Sequence, residues 1–221
     1  MNLISKSQID RLGERLKRGD LSDEDLRELD VFRESFASAY REVVATVRSA
    51  TGLEPTGRDR KTSFSIVEKL RRQETMHLSQ IQDIAGCRAV VADITEQDKV
   101  VELLTRAFAK AKVIDRRQRP SHGYRAVHII AAVRNKPVEI QVRTELQNLW
   151  AQQSEVMADV SDPRIKYGSG DPDALELLSS HSRQIADLEK EERELAKRKA
   201  DFVKRMKALN KIFNDLPRRV N

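Results

Sequence analysis

The 221-residue sequence contains one cysteine, Cys87, and four histidines. One cysteine cannot form an internal disulfide, and no group of Cys and His residues has the spacing of a structural zinc site. Long apolar runs are also missing: no window approaches the ~20 apolar residues that span a bilayer, and the first residues lack the apolar stretch of a signal peptide. We therefore expect a cytoplasmic protein without a membrane partner, folded by burial of apolar side chains.

Apolar residues make up 39% of the chain and charged residues 34%. This balance is typical of a domain that carries exposed, charge-rich helices. A net charge of +6 favours polyanionic partners such as nucleotides or RNA. Residues 197–219 hold nine basic residues against two acidic ones. We interpret this C-terminal excess first as a solvated helix face, with an RNA-binding surface as the alternative.

Hydrophobic periodicity predicts two helices in the first third of the chain. Apolar residues at steps of three and four predict one long helix from Asp23 to about Ala50, capped by Ser22 or Asp23. After a loop through Pro55 and Gly57, a second helix is predicted from about Ser63.

The middle of the chain alternates strands with helices. β-branched and alternating segments predict strands at 87–93, 112–115, 125–133 and 138–143, with a turn at 135–137 joining the last two. Capping-box patterns at Thr95 with Asp98, and at Thr144 with Gln147, predict the starts of two helices. After a Gly-rich linker at 167–172, a final helix of roughly 40 residues is predicted, with one narrow apolar seam that packs on the domain or on a partner. The order indicates an α/β or α+β sandwich around one mixed sheet.

Three groups of residues could carry chemistry. Cations surround Ser65 on a loop and on the following helix, where Lys61 and Lys69 are each four positions from the serine; an ordinary solvated basic helix is the alternative. Asp83 precedes the first predicted strand, and Glu139 lies inside an apolar strand, where a carboxylate is costly unless a cation such as a metal compensates it. An edge strand with one solvent-exposed face would equally explain a glutamate at position 139.

Tyr124 and His128 form the third group, four positions apart around the start of a predicted strand. On one strand face, the aromatic ring could stack on a base and the imidazole could contact a phosphate. The alternative is an ordinary loop-to-strand junction.

In order, these residues form four motifs: a basic run followed by Ser-x-x-x-Lys, then Asp-Ile-Ala-Gly-x-Arg, Gly-Tyr-Arg-x-x-His, and Glu-x-Gln-x-Arg-Thr. Together they resemble the synthetase domain of RelA/SpoT proteins and the small alarmone synthetases. The resemblance implies an α/β (α+β) fold: a mixed five-stranded nucleotidyltransferase-like sheet flanked by helices. It divides the chain into N-terminal helices (1–50), a pyrophosphokinase core (51–168) and a C-terminal helical extension (169–221).

The resemblance implies a Mg²⁺-dependent pyrophosphokinase that moves the β,γ-diphosphate of ATP onto a ribose 3′-hydroxyl. Asp83 and Glu139 would be catalytic and would hold Mg²⁺, with Glu139 also helping to deprotonate the hydroxyl. The implied ATP-binding residues are Arg58, Arg60, Lys61, Ser65, Lys69, Arg72 and Arg88, the last stacking on adenine. The implied acceptor-binding residues are Tyr124, Arg125, His128, Gln141 and Arg143.

The sequence departs from the family pattern at two positions. Asp59 occupies a slot that usually holds an arginine, so either Arg58 or Arg60 must supply the adenine-facing cation. The family usually has a Pro-Lys pair before Gly-Tyr, whereas this sequence has Pro120-Ser121-His122. Without that lysine, we expect weaker binding to the phosphates of a free acceptor. In addition, residues 146–155 resemble the toxic branch of the small synthetases.

Three functions follow as hypotheses. The first is synthesis of (p)ppGpp from GDP or GTP, without hydrolysis, because none of the four histidines is followed by the aspartate of a family hydrolase site. The second is a toxin that pyrophosphorylates the 3′-terminal adenosine of tRNA. The third, ranked low, is an inactive scaffold. An antitoxin protein and further copies of the chain are candidate partners.

Overall fold

The computed structural model describes residues 5–19 and 21–215. The helices are α1 (Lys6–Arg18), α2 (Asp23–Glu34), α3 (Ala37–Thr51), α4 (Ser63–Arg72), α5 (Ile94–Ala107), α6 (Glu145–Val160) and α7 (Pro172–Asp215). The strands are β1 (Thr56–Arg58), β2 (Ala85–Val91), β3 (Lys112–Asp115), β4 (Val127–Val133) and β5 (Lys136–Thr144). In this part of the chain, no helix is long and apolar enough to cross a membrane.

The five strands form one mixed sheet in the order β1-β2-β5-β4-β3. Only β2 and β5 run parallel, and they pair Gly86 with Glu139 and Arg88 with Gln141. β4 lies antiparallel on the other side of β5 and places His128 beside Gln141. The mixed five-stranded sheet expected from the sequence is confirmed.

Alternation along β2 and β5 separates the two faces of the sheet. Cys87, Ile140 and Val142 are buried on the face that packs against α3 and α5. Glu139 and Gln141 point to the opposite face, because successive strand residues alternate sides. A polar row therefore crosses the centre of the sheet.

Two expected helix boundaries are wrong. The predicted helix from Asp23 to Ala50 is two helices, α2 and α3, separated at Ser35-Phe36. Phe32 and Phe36 pack edge to face at this break, with ring centroids 5.3 Å apart. Helix α5 is capped by Asp93, whose carboxylate accepts from the backbone of Thr95 and Glu96, and not by Thr95.

The strand and loop predictions need two corrections. Thr56–Arg58, predicted as loop, is the short edge strand β1 and completes the five strands. β4 begins at Val127 and not at Arg125, because His122 and Gly123 adopt positive φ angles and form a tight turn closed by a bridge between Ser121 and Tyr124. The Thr144–Gln147 capping box is present as predicted.

The long C-terminal helix is present, and its predicted seam, which runs from Ile185 to Leu216, packs on the domain at Ile185. Its inner half contacts α5 and α6, and it buries Ala174, Leu178, Ser182 and Glu189. The seam residues Leu188, Leu195, Phe202, Met206, Leu209 and Phe213 are exposed. The seam position at Leu216 and the basic residues Arg218 and Arg219 lie outside the described residues.

Candidate active site

A cleft of about 450 Å³ opens on the polar face of the sheet. It is lined by Thr56, Gly57, Arg58, Asp83, Gly86, Cys87, Arg88, Glu139, Gln141, Arg143 and Glu155. Gly86, which pairs with Glu139, has no side chain to cover that carboxylate. The two acidic residues singled out in the sequence, Asp83 and Glu139, therefore face one cavity.

Asp83 is held by two lysines from the preceding loop and helix. Lys61 Nζ donates to Asp83 Oδ2 at 2.6 Å, and Lys69 Nζ donates to Oδ1 at 2.8 Å. Burial alone would raise the pKa of Asp83, but the two ammonium groups outweigh burial and lower that pKa to about 2. The carboxylate is therefore ionised at neutral pH, and two cations stand beside it.

Glu139 begins a chain of hydrogen bonds across the sheet. Its carboxylate lies 2.8 Å from His128 Nδ1, and His128 Nε2 lies 2.9 Å from the Tyr124 hydroxyl. Gln141 also donates to Glu139, at 2.8 Å. Burial opposes ionisation of Glu139, but these hydrogen bonds and the nearby imidazole lower its pKa below the ordinary value. Glu139 can accordingly accept a proton at neutral pH.

Two arginines lie side by side at the end of the cleft. Arg88 and Arg143 both donate to Asn148 Oδ1, at 3.3 and 3.4 Å. The Nε atom of each is buried and has no hydrogen-bond partner among the described residues. Burial and the neighbouring Arg143 lower the pKa of Arg88. Both side chains line the cleft, and their two positive charges favour an anion there.

The remaining predicted ATP-binding residues are not all in the cleft. Arg58 lines it, whereas Arg60 lies outside its lining and pairs with Asp59 at 3.6 Å. The Arg72 guanidinium lies over the Tyr167 ring, 3.5 Å from its centroid. Ser65 lies in the first turn of α4, where its hydroxyl accepts from Thr62 at 2.7 Å.

Arg125 points toward α7, and its contacts are structural. Its Nε donates to the Ser182 hydroxyl at 3.0 Å, and its guanidinium also donates to the carbonyl of Arg117. The Ser182 hydroxyl in turn donates to the Gly123 carbonyl at 2.6 Å. These contacts fasten the loop that carries Tyr124 to the C-terminal helix.

Gly123 is required at its position in this loop. Its φ is +88°, and a Cβ there would lie 2.7 Å from the Trp150 ring. The indole Nε1 donates to the Leu178 carbonyl of α7 at 2.7 Å. Tyr124 is therefore oriented by a packed support of α6 and α7.

Sequence reasoning missed several residues at the site. Arg33 donates to the Lys61 carbonyl at 2.6 Å and to Ser63 at 2.9 Å, and so supports the lysine loop from α2. Asn148 and Glu155 reach the cleft region from α6. Their spacing of seven residues places them on one helix face, and this periodicity is the signal that could have identified them.

A metal ion would find two carboxylates at this site. Among residues 5–19 and 21–215, no group of three or more His, Cys, Asp or Glu side chains is arranged to hold a metal. Asp83 and Glu139 supply hard oxygen donors, which suit Mg²⁺, an ion that retains several water ligands. Their oxygens are now engaged by Lys61, Lys69, His128 and Gln141.

Comparison with known proteins identifies the domain. Residues 58–159 match the family model described as a region found in RelA / SpoT proteins. An uncharacterized protein of Mycobacterium tuberculosis is 39% identical over 111 residues, which are 48% of this chain and 40% of that protein. The chain thus spans less than half the length of the curated relatives it matches.

Solved structures extend the likeness beyond the matched region. Small alarmone synthetase 1 from Bacillus subtilis, bound to its product pppGpp, has a TM-score of 0.61 at 24% identity, over 78% of this chain and 98% of that chain. A GTP pyrophosphokinase family protein from Streptococcus pneumoniae has a TM-score of 0.60 at 24% identity, over 82% of this chain and 97% of that chain. Because both structures are only 24% identical to this chain, the matches establish a shared fold and do not by themselves establish a shared activity. Residues 58–159 are therefore a RelA/SpoT-type domain, and the chain that carries them has the fold of the small alarmone synthetases.

Proposed function

We propose that the protein is an ATP-dependent pyrophosphokinase that transfers the β,γ-diphosphate of ATP to the ribose 3′-hydroxyl of a guanosine nucleotide, making (p)ppGpp. One observation carries this proposal: Asp83, which is paired with two lysines, and Glu139, which is hydrogen-bonded to His128 and through it to Tyr124, line the same cleft. The structural relatives, one bound to pppGpp and one named a GTP pyrophosphokinase family protein, support the same reaction class.

The donor side of the cleft is suited to a triphosphate. Lys61 and Lys69 flank Asp83, and Arg58 and Arg88 line the same cavity. Phosphoryl-type transfer depends mainly on positioning and on neutralising charge, and cations on several sides supply both. Arg58 rather than Arg60 is our candidate for the adenine-facing cation opposite Arg88, because only Arg58 lines the cleft.

The acceptor side is suited to a nucleoside with a free 3′-hydroxyl. The acceptor base would stack on Tyr124, and Glu139 would take the hydroxyl proton. The 3′-oxygen then attacks the β-phosphorus, and the bond from that phosphorus to the oxygen bridging it to the α-phosphorus breaks, releasing AMP. His128 holds the Glu139 carboxylate in position through its 2.8 Å contact.

We further propose that Asp83 and Glu139 hold Mg²⁺ when ATP is bound. The ion would supply neutralisation of the charge on the phosphate oxygens. ATP phosphates would draw Lys61 and Lys69 away from Asp83, and the freed carboxylate oxygens are the ligands such an ion requires.

The experiment uses ATP labelled at the γ-phosphate with GDP or GTP as acceptor. Glu139→Gln keeps the size of the side chain and removes the base, and transfer is expected to fall by at least about 100-fold, the lower range for loss of a general base. Glu102→Gln, on the exposed face of α5, is the matched control and should transfer normally. Full transfer by Glu139→Gln would refute the role of this residue.

A second candidate acceptor is the 3′-terminal adenosine of tRNA. Ser121-His122 stands where the family has a lysine for acceptor phosphates, and the His122 ring packs directly on Gly168. Deacylated tRNA in the same assay separates the two: label on tRNA alone would overturn the guanosine proposal. Incubation with ppGpp tests the expected absence of hydrolase activity, which release of pyrophosphate would contradict.

A further inference from the structure

The outer half of α7 extends away from the body of the protein. Every residue from 197 to 214 is exposed. The last ion pair that joins α7 to another described element is Arg193 with Asp98, at 2.7 Å. At a rise of ~1.5 Å per residue, this segment is a helical arm about 27 Å long.

The arm carries a regular apolar stripe, which we call the outer seam: Phe202, Met206, Leu209 and Phe213. These side chains recur at steps of four, three and four, and 43–66% of each is exposed. Leu195 and Leu188 continue the same repeat toward the body and are also exposed. Leu188, Leu195, Phe202 and Leu209 are seven residues apart, and such a repeat is typical of a helix that pairs with another helix. Large apolar side chains left uncovered in a contiguous row mark an interaction surface.

Charge selects among the partners that could cover this stripe. Seven basic residues and one acidic residue, Asp201, lie between 197 and 214. In the heptad defined by the outer seam, Arg198 and Arg205 flank the apolar positions, where charges of a paired helix meet. Both arginines lie on the same side of the stripe, so a helix with acidic residues at the facing positions would form favourable pairs along that side of an apolar interface.

A second copy of the chain fits this surface poorly. Two arms of the same strongly positive charge repel each other, and parallel pairing would place Lys199 against the same lysine of the other copy. RNA would be attracted by the cations, but binding to phosphates does not call for apolar residues at heptad spacing. The combination of stripe and charge instead fits a protein helix.

We propose that the outer half of α7 is a docking surface for an acidic amphipathic helix of a partner protein. The apolar face of that helix covers the outer seam, and acidic residues along one side of that face pair with Arg198 and Arg205. This proposal depends on the arm alone and stands whether or not the proposed transferase activity is found.

The test uses a synthetic peptide roughly four heptads long, with Leu at the seam positions and Glu at the flanking positions. Fluorescence anisotropy at ~0.15 M salt should show binding to the full chain, and a peptide with Lys in place of Glu should not bind. The double variant Phe202→Ser/Leu209→Ser should weaken binding at least about tenfold, because two buried apolar side chains are lost from the interface.

Control variants distinguish binding at the outer seam from nonspecific hydrophobic association. Val160→Ser removes an exposed valine at the end of α6 and should leave binding unchanged. Circular dichroism should show that the double variant keeps its helix content, and Arg198→Gln/Arg205→Gln should weaken binding without changing the seam. Unaltered binding by both double variants, or equal binding of the Lys peptide, would overturn the proposal.

Competing occupants give different results. One such result is that an RNA hairpin or vesicles of anionic lipid bind through Phe202 and Leu209 when the acidic peptide does not bind. That result would overturn the proposal and identify RNA or lipid as the ligand of the outer seam. An oligomer seen in sedimentation that dissociates in Phe202→Ser/Leu209→Ser would identify a second copy as the occupant, and would equally overturn the proposal.

Discussion

Replacement of Asp83 by asparagine should destabilise the protein at neutral pH and should lose this effect in acid. Asp83 accepts hydrogen bonds from Lys61 and Lys69 at 2.6 and 2.8 Å, and these ion pairs lower its pKa to about 2 from the ordinary 3.8. Folding therefore favours the ionised carboxylate. The variant keeps the shape of the side chain and removes the charge that the two lysines recognise.

The magnitude follows from the shift in pKa. A difference of just under two pKa units corresponds to about 2 kcal/mol of stabilisation, fully present above the unfolded pKa near 4 and lost as pH falls through the folded pKa near 2. By pH 3 about half should remain. The side chains of Lys61 and Lys69 are 12% and 22% exposed. Each ammonium thus keeps a route to water, and the ~3–5 kcal/mol expected for a fully buried orphaned charge is not expected here.

Urea unfolding of wild type and Asp83→Asn at pH 7, 5, 4 and 3, at constant ionic strength, measures this difference without adding a salt that screens the ion pairs. Asp159→Asn is the matched control, since Asp159 pairs with Lys166 at 3.2 Å on the surface and is 74% exposed. That variant should change the free energy of unfolding by less than about 1 kcal/mol. Equal stability of Asp83→Asn and wild type at pH 7, or a deficit that stays constant into acid, would refute the lysine clamp as a source of stability.

Three further variants or reagents probe the supports of the cleft. Ser182→Ala removes the hydroxyl that donates to the Gly123 carbonyl. Loss of this hydrogen bond, worth ~1 kcal/mol, should raise the KM for the acceptor several-fold and leave the KM for ATP constant. Equal changes in both KM values would contradict this. Burial raises the pKa of Glu189, so folding favours the protonated carboxyl. The stabilisation from this side chain is therefore fully present below the pKa of the unfolded state and is lost as pH rises through the pKa of the folded state. Glu189→Gln, which keeps an oxygen to accept from Thr144 and Gln147, should therefore be more stable than wild type at pH 8, and unfolding curves that show the opposite would contradict the assignment. Burial and the nearby Glu139 raise the pKa of Cys87 to about 12, so iodoacetamide at pH 8 should label it only after unfolding, as mass spectrometry would show.

Local patterns predicted much of the secondary structure because they depend on neighbours in sequence. Alternation across Val138 to Val142 correctly placed Glu139 and Gln141 on one face, and the Thr144 capping box correctly started α6. The same reasoning failed where a local signal was weak. Three residues at Thr56–Arg58 form a strand only because β2 offers its edge, and the break between α2 and α3 depends on how Phe32 and Phe36 pack.

Sequence patterns alone identify the residue types that carry the chemistry: two separated acids, a basic run, a Tyr-His pair and a heptad stripe on the last helix. Which residues they contact depends on the folded chain. Parallel pairing of β2 with β5 brings residues about fifty positions apart to adjacent strands, and the fold of α4 against the sheet places two lysines on Asp83. In the folded chain, Arg125 contacts α7 and the outer seam is left exposed. Periodicity specifies which side of a helix or strand is apolar, whereas the neighbour that covers that side depends on contacts between distant parts of the chain.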